Sequence, residues 1–144
     1  MRIFKDQNLK SVDKSEIVKT LNSSGTTGNN LSRIYLDKKT AINQTRVLKN
    51  IVSDFLGEKR IPMIIIDKNS VLKNRENYSA RIAGILGFSI FSKEKIYVLD
   101  ENMKIDINAI NNFCNKYKNE KILIFGFTSI IWEYFYEKIF SSGV

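Results

Sequence analysis

Ile61-Pro62-Met63-Ile64-Ile65-Ile66-Asp67 is a short, apolar run rich in β-branched side chains. A strand with one face in water alternates polar and apolar residues, and this one does not. It reads as a strand buried on both faces, the kind found in parallel sheets covered by helices. Upstream, Ala41, Val47, Leu48, Ile51, Phe55 and Leu56 recur at helical spacings within residues 39 to 57, and Gly57 follows as a stop. Downstream, a helix is predicted over residues 76 to 87, including Ala80, Ile82, Ala83, Ile85 and Leu86. A strand follows at Lys95-Ile96-Tyr97-Val98-Leu99, then a helix near 106 to 118 with Ile107, Ile110, Phe113, Cys114 and Tyr117 on one side. Lys121 to Gly126 reads as another buried strand, and Ile130 to Ile139 as a helix rich in aromatics. This alternation predicts βαβ crossovers, and so an α/β fold with a mainly parallel sheet and helices on its faces.

Before residue 39 the pattern changes. Ile17 to Leu21 and Ile34-Tyr35-Leu36 are short strand candidates on either side of a Ser/Gly/Thr/Asn cluster, which predicts an antiparallel ribbon carrying a glycine loop. With no internal repeat and a single proline, residues 1–144 are expected to form one domain. Residues 1–38 would be the strand-loop-strand ribbon and 39–144 the alternating α/β units.

Composition narrows the chemistry. The absence of histidine excludes His-based triads and most metal sites, and one cysteine excludes an internal disulfide framework. Cys114 falls on the apolar side of a predicted helix, where a small packed residue is the plainer reading than a reactive thiol. No apolar run reaches the roughly 20 residues needed to span a bilayer, and the N-terminus lacks a signal-peptide pattern, so the expectation is a cytoplasmic protein. The net charge is +8, with 12 basic against 6 acidic residues in 1–60 and 11 against 9 in 61–144. The positive excess surrounds the glycine loop, which suits an anionic partner, with a solvated surface of lysines as an equal alternative. The basic residues are scattered and no recognition motif accompanies them, so nucleic acid is not the favoured one.

The loop itself reads Asn22-Ser23-Ser24-Gly25-Thr26-Thr27-Gly28-Asn29-Asn30-Leu31-Ser32-Arg33. Two glycines permit close approach of the backbone, and the four hydroxyls of Ser23, Ser24, Thr26 and Thr27 stand beside its N–H groups, a composition able to wrap a phosphate. It is neither a Walker loop nor a dinucleotide fingerprint. A flexible polar hairpin loop is the competing reading. Phe125-Gly126-Phe127-Thr128 ends a predicted strand, where α/β sheets bind ligands. Gly126, Phe127 and Thr128 are therefore candidates to line a pocket, against the alternative that the glycine makes a turn and the aromatics fill the core. Arg81 reads as a surface or structural residue, and Asp67 either as a cap or as a group that orients a ligand.

Ser23-Ser24-Gly25-Thr26-Thr27-Gly28 resembles the phosphate-binding loop of the adenylate-forming superfamily. Together with Phe4-Lys5 through Ser11-Val12, Ser32-Arg33-Ile34-Tyr35-Leu36-Asp37, Tyr78-Ser79-Ala80-Arg81-Ile82-Ala83-Gly84 and Phe125-Gly126-Phe127-Thr128, it is similar to the acyl-protein synthetase (LuxE) family over nearly the whole chain. That resemblance implies activation of a carboxylic acid, as in fatty acid activation, by ATP with Mg2+. The acyl-adenylate then passes its acyl group to a thiol, from which an acyl reductase partner draws it. By the same resemblance Ser23, Ser24, Gly25, Thr26, Thr27 and Gly28 would hold the phosphates, as N–H and hydroxyl donors suited to the charge of departing pyrophosphate. Many superfamily members place a proline and a lysine soon after the second glycine; here Asn29-Asn30-Leu31 stands there, and Arg33 is the candidate cation.

The resemblance also implies parts absent from these 144 residues: a second sheet, an acidic Mg2+ ligand, an aspartate for the ribose, a mobile domain with a lysine, and an acyl-accepting cysteine. The expectation is an incomplete portion of a larger enzyme, inactive alone and prone to self-association through exposed sheet edges. Two alternatives stay open, a nucleotide-binding module without turnover and a basic nucleic-acid-binding module.

Overall fold

Met63, Ile64, Ile65 and Ile66 are all at 2% exposure or less, so the run that directs the sequence reading is also the deepest part of the protein. The computed structural model describes residues 10–22, 33–73 and 79–141. Its elements are β1 (Ile17–Asn22), β2 (Arg33–Asp37), α1 (Lys38–Leu56), β3 (Ile61–Lys68), α2 (Ala80–Ser89), β4 (Ser92–Leu99), α3 (Ile107–Lys116) and β5 (Leu123–Phe125). The C-terminal helical run joins α4 (Thr128–Ile130), a π-helical stretch (Ile131–Tyr136) and α5 (Glu137–Ser141). The fold is α/β as expected, with a parallel three-stranded sheet in the order β4-β3-β5 and a separate antiparallel pair β1-β2. The chain forms two compact units, Met1–Glu58 with Arg75–Gly87, and Lys59–Asn74 with Phe88–Val144.

In the first unit the ribbon runs in register from Ile17 opposite Asp37 to Asn22 opposite Arg33, with an irregularity between Ile17 and Lys19. Asp37 ends β2 and caps α1, its Oδ1 accepting the Thr40 N–H at 2.8 Å. At the other end of α1 Gly57 has φ 84, a conformation that costs glycine nothing. Leu36 is buried, and Gly87 of α2 lies close enough to α1 that an added Cβ would stand 3.3 Å from Leu48. Ser79 caps α2, its Oγ accepting the Ile82 N–H at 3.3 Å.

The apolar stripe of α1 differs from the expectation. No residue of the helix is buried, and Val47, Ile51 and Phe55 are exposed, Phe55 at 79%. Leu48 and Leu56 are half-buried, so the side that meets the rest of the unit is rotated from the stripe's centre.

In the second unit Ile64, Ile66, Val98 and Leu99 pack with Phe113 and Tyr117 of the α3 region and with Ile130 of α4. Pro62 tolerates its place in a central strand because β5 begins pairing only at Met63, so the missing N–H falls beyond the ladder on that side. β5 is shorter than predicted and, contrary to the expectation of a buried strand, leaves Ile124 at 51% exposure. Among the described residues it pairs with β3 alone, and an edge position covers less of it.

Candidate functional site

Ser23, Ser24, Gly25, Thr26, Thr27 and Gly28 lie outside the described residues. What frames them is described: β1 and β2 close on the Asn22–Arg33 pair, so the two ends of the loop are held one ladder step apart. Arg33 is exposed there, at the base of the loop, where a guanidinium adds positive charge.

A cleft of about 1020 Å³ occurs on the same unit, lined by Val18 of β1 and Asp37, Lys39, Ile42 and Arg46 around the start of α1. It sits at the end of the ribbon opposite the Asn22–Arg33 pair. Its lining mixes acids with bases: Asp37 is engaged by Thr40, whose hydrogen bonds hold its carboxyl below the usual range, and Arg46 donates to Asn43 Oδ1 at 2.8 Å. The cleft is thus at the far end of the ribbon from Arg33.

The second candidate segment sits where chain topology places ligands. From β3 the chain passes to β4 on one side and then to β5 on the other, so the carboxyl ends of β3 and β5 flank a switch in strand order. Gly126, Phe127 and Thr128 follow β5 directly, and Asp67 lies near the end of β3. Gly126 is tightly packed: an added Cβ would stand 2.9 Å from Ile131 Cγ1 and 3.0 Å from Ile66 Cβ. The space beside it is therefore filled by protein side chains. Phe127 and Thr128 are exposed, and Phe127 accepts through its carbonyl the Ile131 N–H at 2.8 Å, starting the C-terminal helical run. Of the aromatics that follow, Tyr134 and Phe135 pack on the core, whereas Trp132, Tyr136 and Phe140 are exposed and stack in series at 4.9 and 5.3 Å between ring centres.

Asp67 is buried, at 2% exposure, and its Oδ1 accepts the Lys68 N–H at 2.7 Å. Cys114 is half-buried against the core, consistent with packing, and Arg81 is half-buried. Among the described residues no group of three or more His, Cys, Asp or Glu side chains is placed to hold a metal ion, and no helix is long and apolar enough to cross a membrane.

Two features escape sequence reading. Lys93, Glu94, Lys116, Tyr117 and Glu120 form a network between β4 and the α3 region, hinted at only by the alternating charges before Ile96. Tyr97 reads from sequence as one more apolar strand residue, yet its hydroxyl is buried with no hydrogen-bond partner among the described residues.

The family model for acyl-protein synthetase, LuxE, matches residues 1–143. No curated protein and no solved structure matches the chain.

Proposed function

The chain belongs to the acyl-protein synthetase (LuxE) family, and from that premise we propose that it takes part in ATP-dependent activation of a carboxylic acid for transfer to a thiol. In the first half-reaction a carboxylate oxygen bonds to the α-phosphorus of ATP, the bond to the bridging oxygen breaks, and pyrophosphate leaves with its electron pair. In the second the thiolate attacks the acyl carbonyl and AMP departs. A fatty acid as substrate, an acyl reductase as partner and a cytoplasmic setting belong to the same reading.

The observation that carries it is a loop rich in hydroxyls and glycines whose ends are pinned by an antiparallel ladder, with Arg33 at its base. Ser23 to Gly28 would present N–H and O–H donors to the β- and γ-phosphates, where charge accumulates as pyrophosphate leaves. Arg33 would add a fixed positive charge and a planar donor fork. Gly126, Phe127 and Thr128 would line the acyl or adenine end, and the exposure of Phe127 supports that role more than the packing of Gly126 does. Mg2+ would accompany the triphosphate. Among the described residues no cluster of His, Cys, Asp or Glu side chains is placed to hold it.

Calorimetric titration of ATP and pyrophosphate into the wild type, Thr26→Ala and Gly28→Val tests the reading. Loss of one hydrogen bond to a charged group weakens binding on the order of 10- to 100-fold. Unchanged affinity in both variants removes the loop from the site. Steeply salt-dependent binding of duplex DNA that ignores both substitutions supports a nucleic-acid module instead.

A further inference from the structure

The cleft beside β1 and the start of α1 continues into a second cavity of about 660 Å³, and the two share Val18, Lys38, Ile42 and Arg46. Lys49 joins them in the second cavity, one helical turn beyond Arg46, so α1 presents its part of the groove along one side. Val18 and Ile42 are each 59% exposed, and nearly all of the second cavity's lining is apolar. A concave apolar floor open to water is a place where a partner gains by covering it.

The charge around that floor is one-sided. The two acids of the cleft are engaged by their own chain: Glu16 Oε2 accepts the Asp13 N–H at 3.3 Å, and Asp37 Oδ1 accepts the Thr40 N–H at 2.8 Å. Lys38, Arg46 and Lys49 have no carboxylate partner among the described residues, and Arg46 meets the neutral Asn43 instead. The first turn of α1 carries Lys38 and Lys39 and no acid, so two cations stand where the helix's own N–H groups already make the potential positive.

These features select the occupant. A second copy of the chain would bring a net charge of +8 to a cationic rim. Duplex nucleic acid offers phosphates to the rim and little to the apolar floor. A lipid surface takes cations and apolar side chains from one convex helix side, whereas the exposed Val47, Ile51 and Phe55 lie roughly opposite Arg46 and Lys49 around α1. An amphipathic acidic helix supplies what both parts of the groove lack. We propose that this groove docks such a helix from a partner protein, its apolar side chains seated on Val18 and Ile42 and its carboxylates on Lys38, Arg46 and Lys49. The contact stands apart from the ATP-dependent reading and gives the ribbon unit a partner-binding face of its own.

The test is fluorescence anisotropy of a labelled peptide of about 16 residues, long enough to form a helix, with Leu on one face and Glu and Gln on the other. It is titrated with the whole chain and with the Arg46→Glu, Lys49→Glu, Ile42→Gln and Lys118→Glu variants. A scrambled peptide of the same composition, a version with Lys in place of Glu, duplex DNA and vesicles containing phosphatidylglycerol are the comparison probes. The acidic amphipathic peptide should bind the wild type about tenfold or more tightly than the scrambled and Lys versions. Arg46→Glu, Lys49→Glu and Ile42→Gln should each weaken it about tenfold, while Lys118→Glu, an exposed site on the other unit, leaves it unchanged. All four substituted side chains are exposed, so the melting temperatures should stay close to that of the wild type. No binding by the wild type, equal binding of the scrambled peptide, or an equal loss in Lys118→Glu overturns the proposal. So does tighter binding of duplex DNA or of vesicles that the groove variants abolish, which assigns the groove to nucleic acid or to lipid. A dimer in sedimentation velocity that Ile42→Gln disperses also overturns it, in favour of a second copy.

Discussion

Glu94 accepts two hydrogen bonds from Lys116 Nζ, at 2.8 and 2.7 Å, and one from the Tyr117 hydroxyl at 2.6 Å, tying β4 to the end of α3. Those bonds, Lys116 first, hold the Glu94 carboxyl below its ordinary value of 4.5, so its contribution is present above that value and is lost as pH falls through the depressed one. Hydrogen bonding to Glu94 raises Lys116 and Tyr117 above 10.5 and 10.0, so their share is present below those values and is lost as pH climbs through the raised ones. Glu94→Gln should therefore lower the melting temperature by at most a few degrees near neutrality, and the deficit should shrink in acid and in strong alkali. A deficit that is constant from pH 3 to neutrality on the order of pH 7 would mean that charge plays no part. At Gly126 it is close packing that requires a glycine. Gly126→Ala should cost about 1–3 kcal/mol in urea unfolding, and adding Ile131→Val, which trims the crowding side chain, should recover part of it. Sequence shows that Gly126 ends a strand. That Ile66 and Ile131 close over it is a tertiary fact, as is the lack of a partner for the Tyr97 hydroxyl among the described residues, and neither leaves a local signature.

At the scale of elements, α1 separates what a pattern encodes from what it omits. Its start at Asp37 and its stop at Gly57 follow from local chemistry: a carboxylate that accepts a free N–H, and a residue able to take φ 84. The stripe of Val47, Ile51 and Phe55 is equally local, since spacing decides which side chains share a face. What covers that face is set by other elements, and here the three are exposed. The edge strand β5 repeats the lesson, because an apolar run identifies a strand without saying how many neighbours it has. A Cβ on Gly57 would meet nothing within 4 Å, so Gly57→Ala tests backbone strain free of crowding. It should destabilise by about 1–3 kcal/mol in chemical denaturation, and a neutral result would mean that the helix ends in a different conformation in solution.

For the molecule as a whole, apolar burial is unevenly divided. The unit containing the parallel sheet buries Met63 to Ile66, Val98, Leu99, Phe113 and Ile130, whereas the ribbon unit buries Leu36, Ile82 and Ile85. The first is the part most readable from sequence, because strands that need two covered faces announce themselves by composition. The ribbon is less readable, because its two strands are short and flank a polar stretch of sequence with no apolar pattern. Since burial is the main force holding a region closed, amides of Ile64, Ile65 and Ile66 should exchange only through global opening. Amides along α1 should exchange faster, on the order of a hundredfold or more, through local opening. Native-state hydrogen exchange read by NMR distinguishes the two classes. Protection of α1 equal to that of β3 would show that its exposed stripe is covered in solution, and addition of ATP then asks whether the ribbon unit gains protection as its loop engages phosphate.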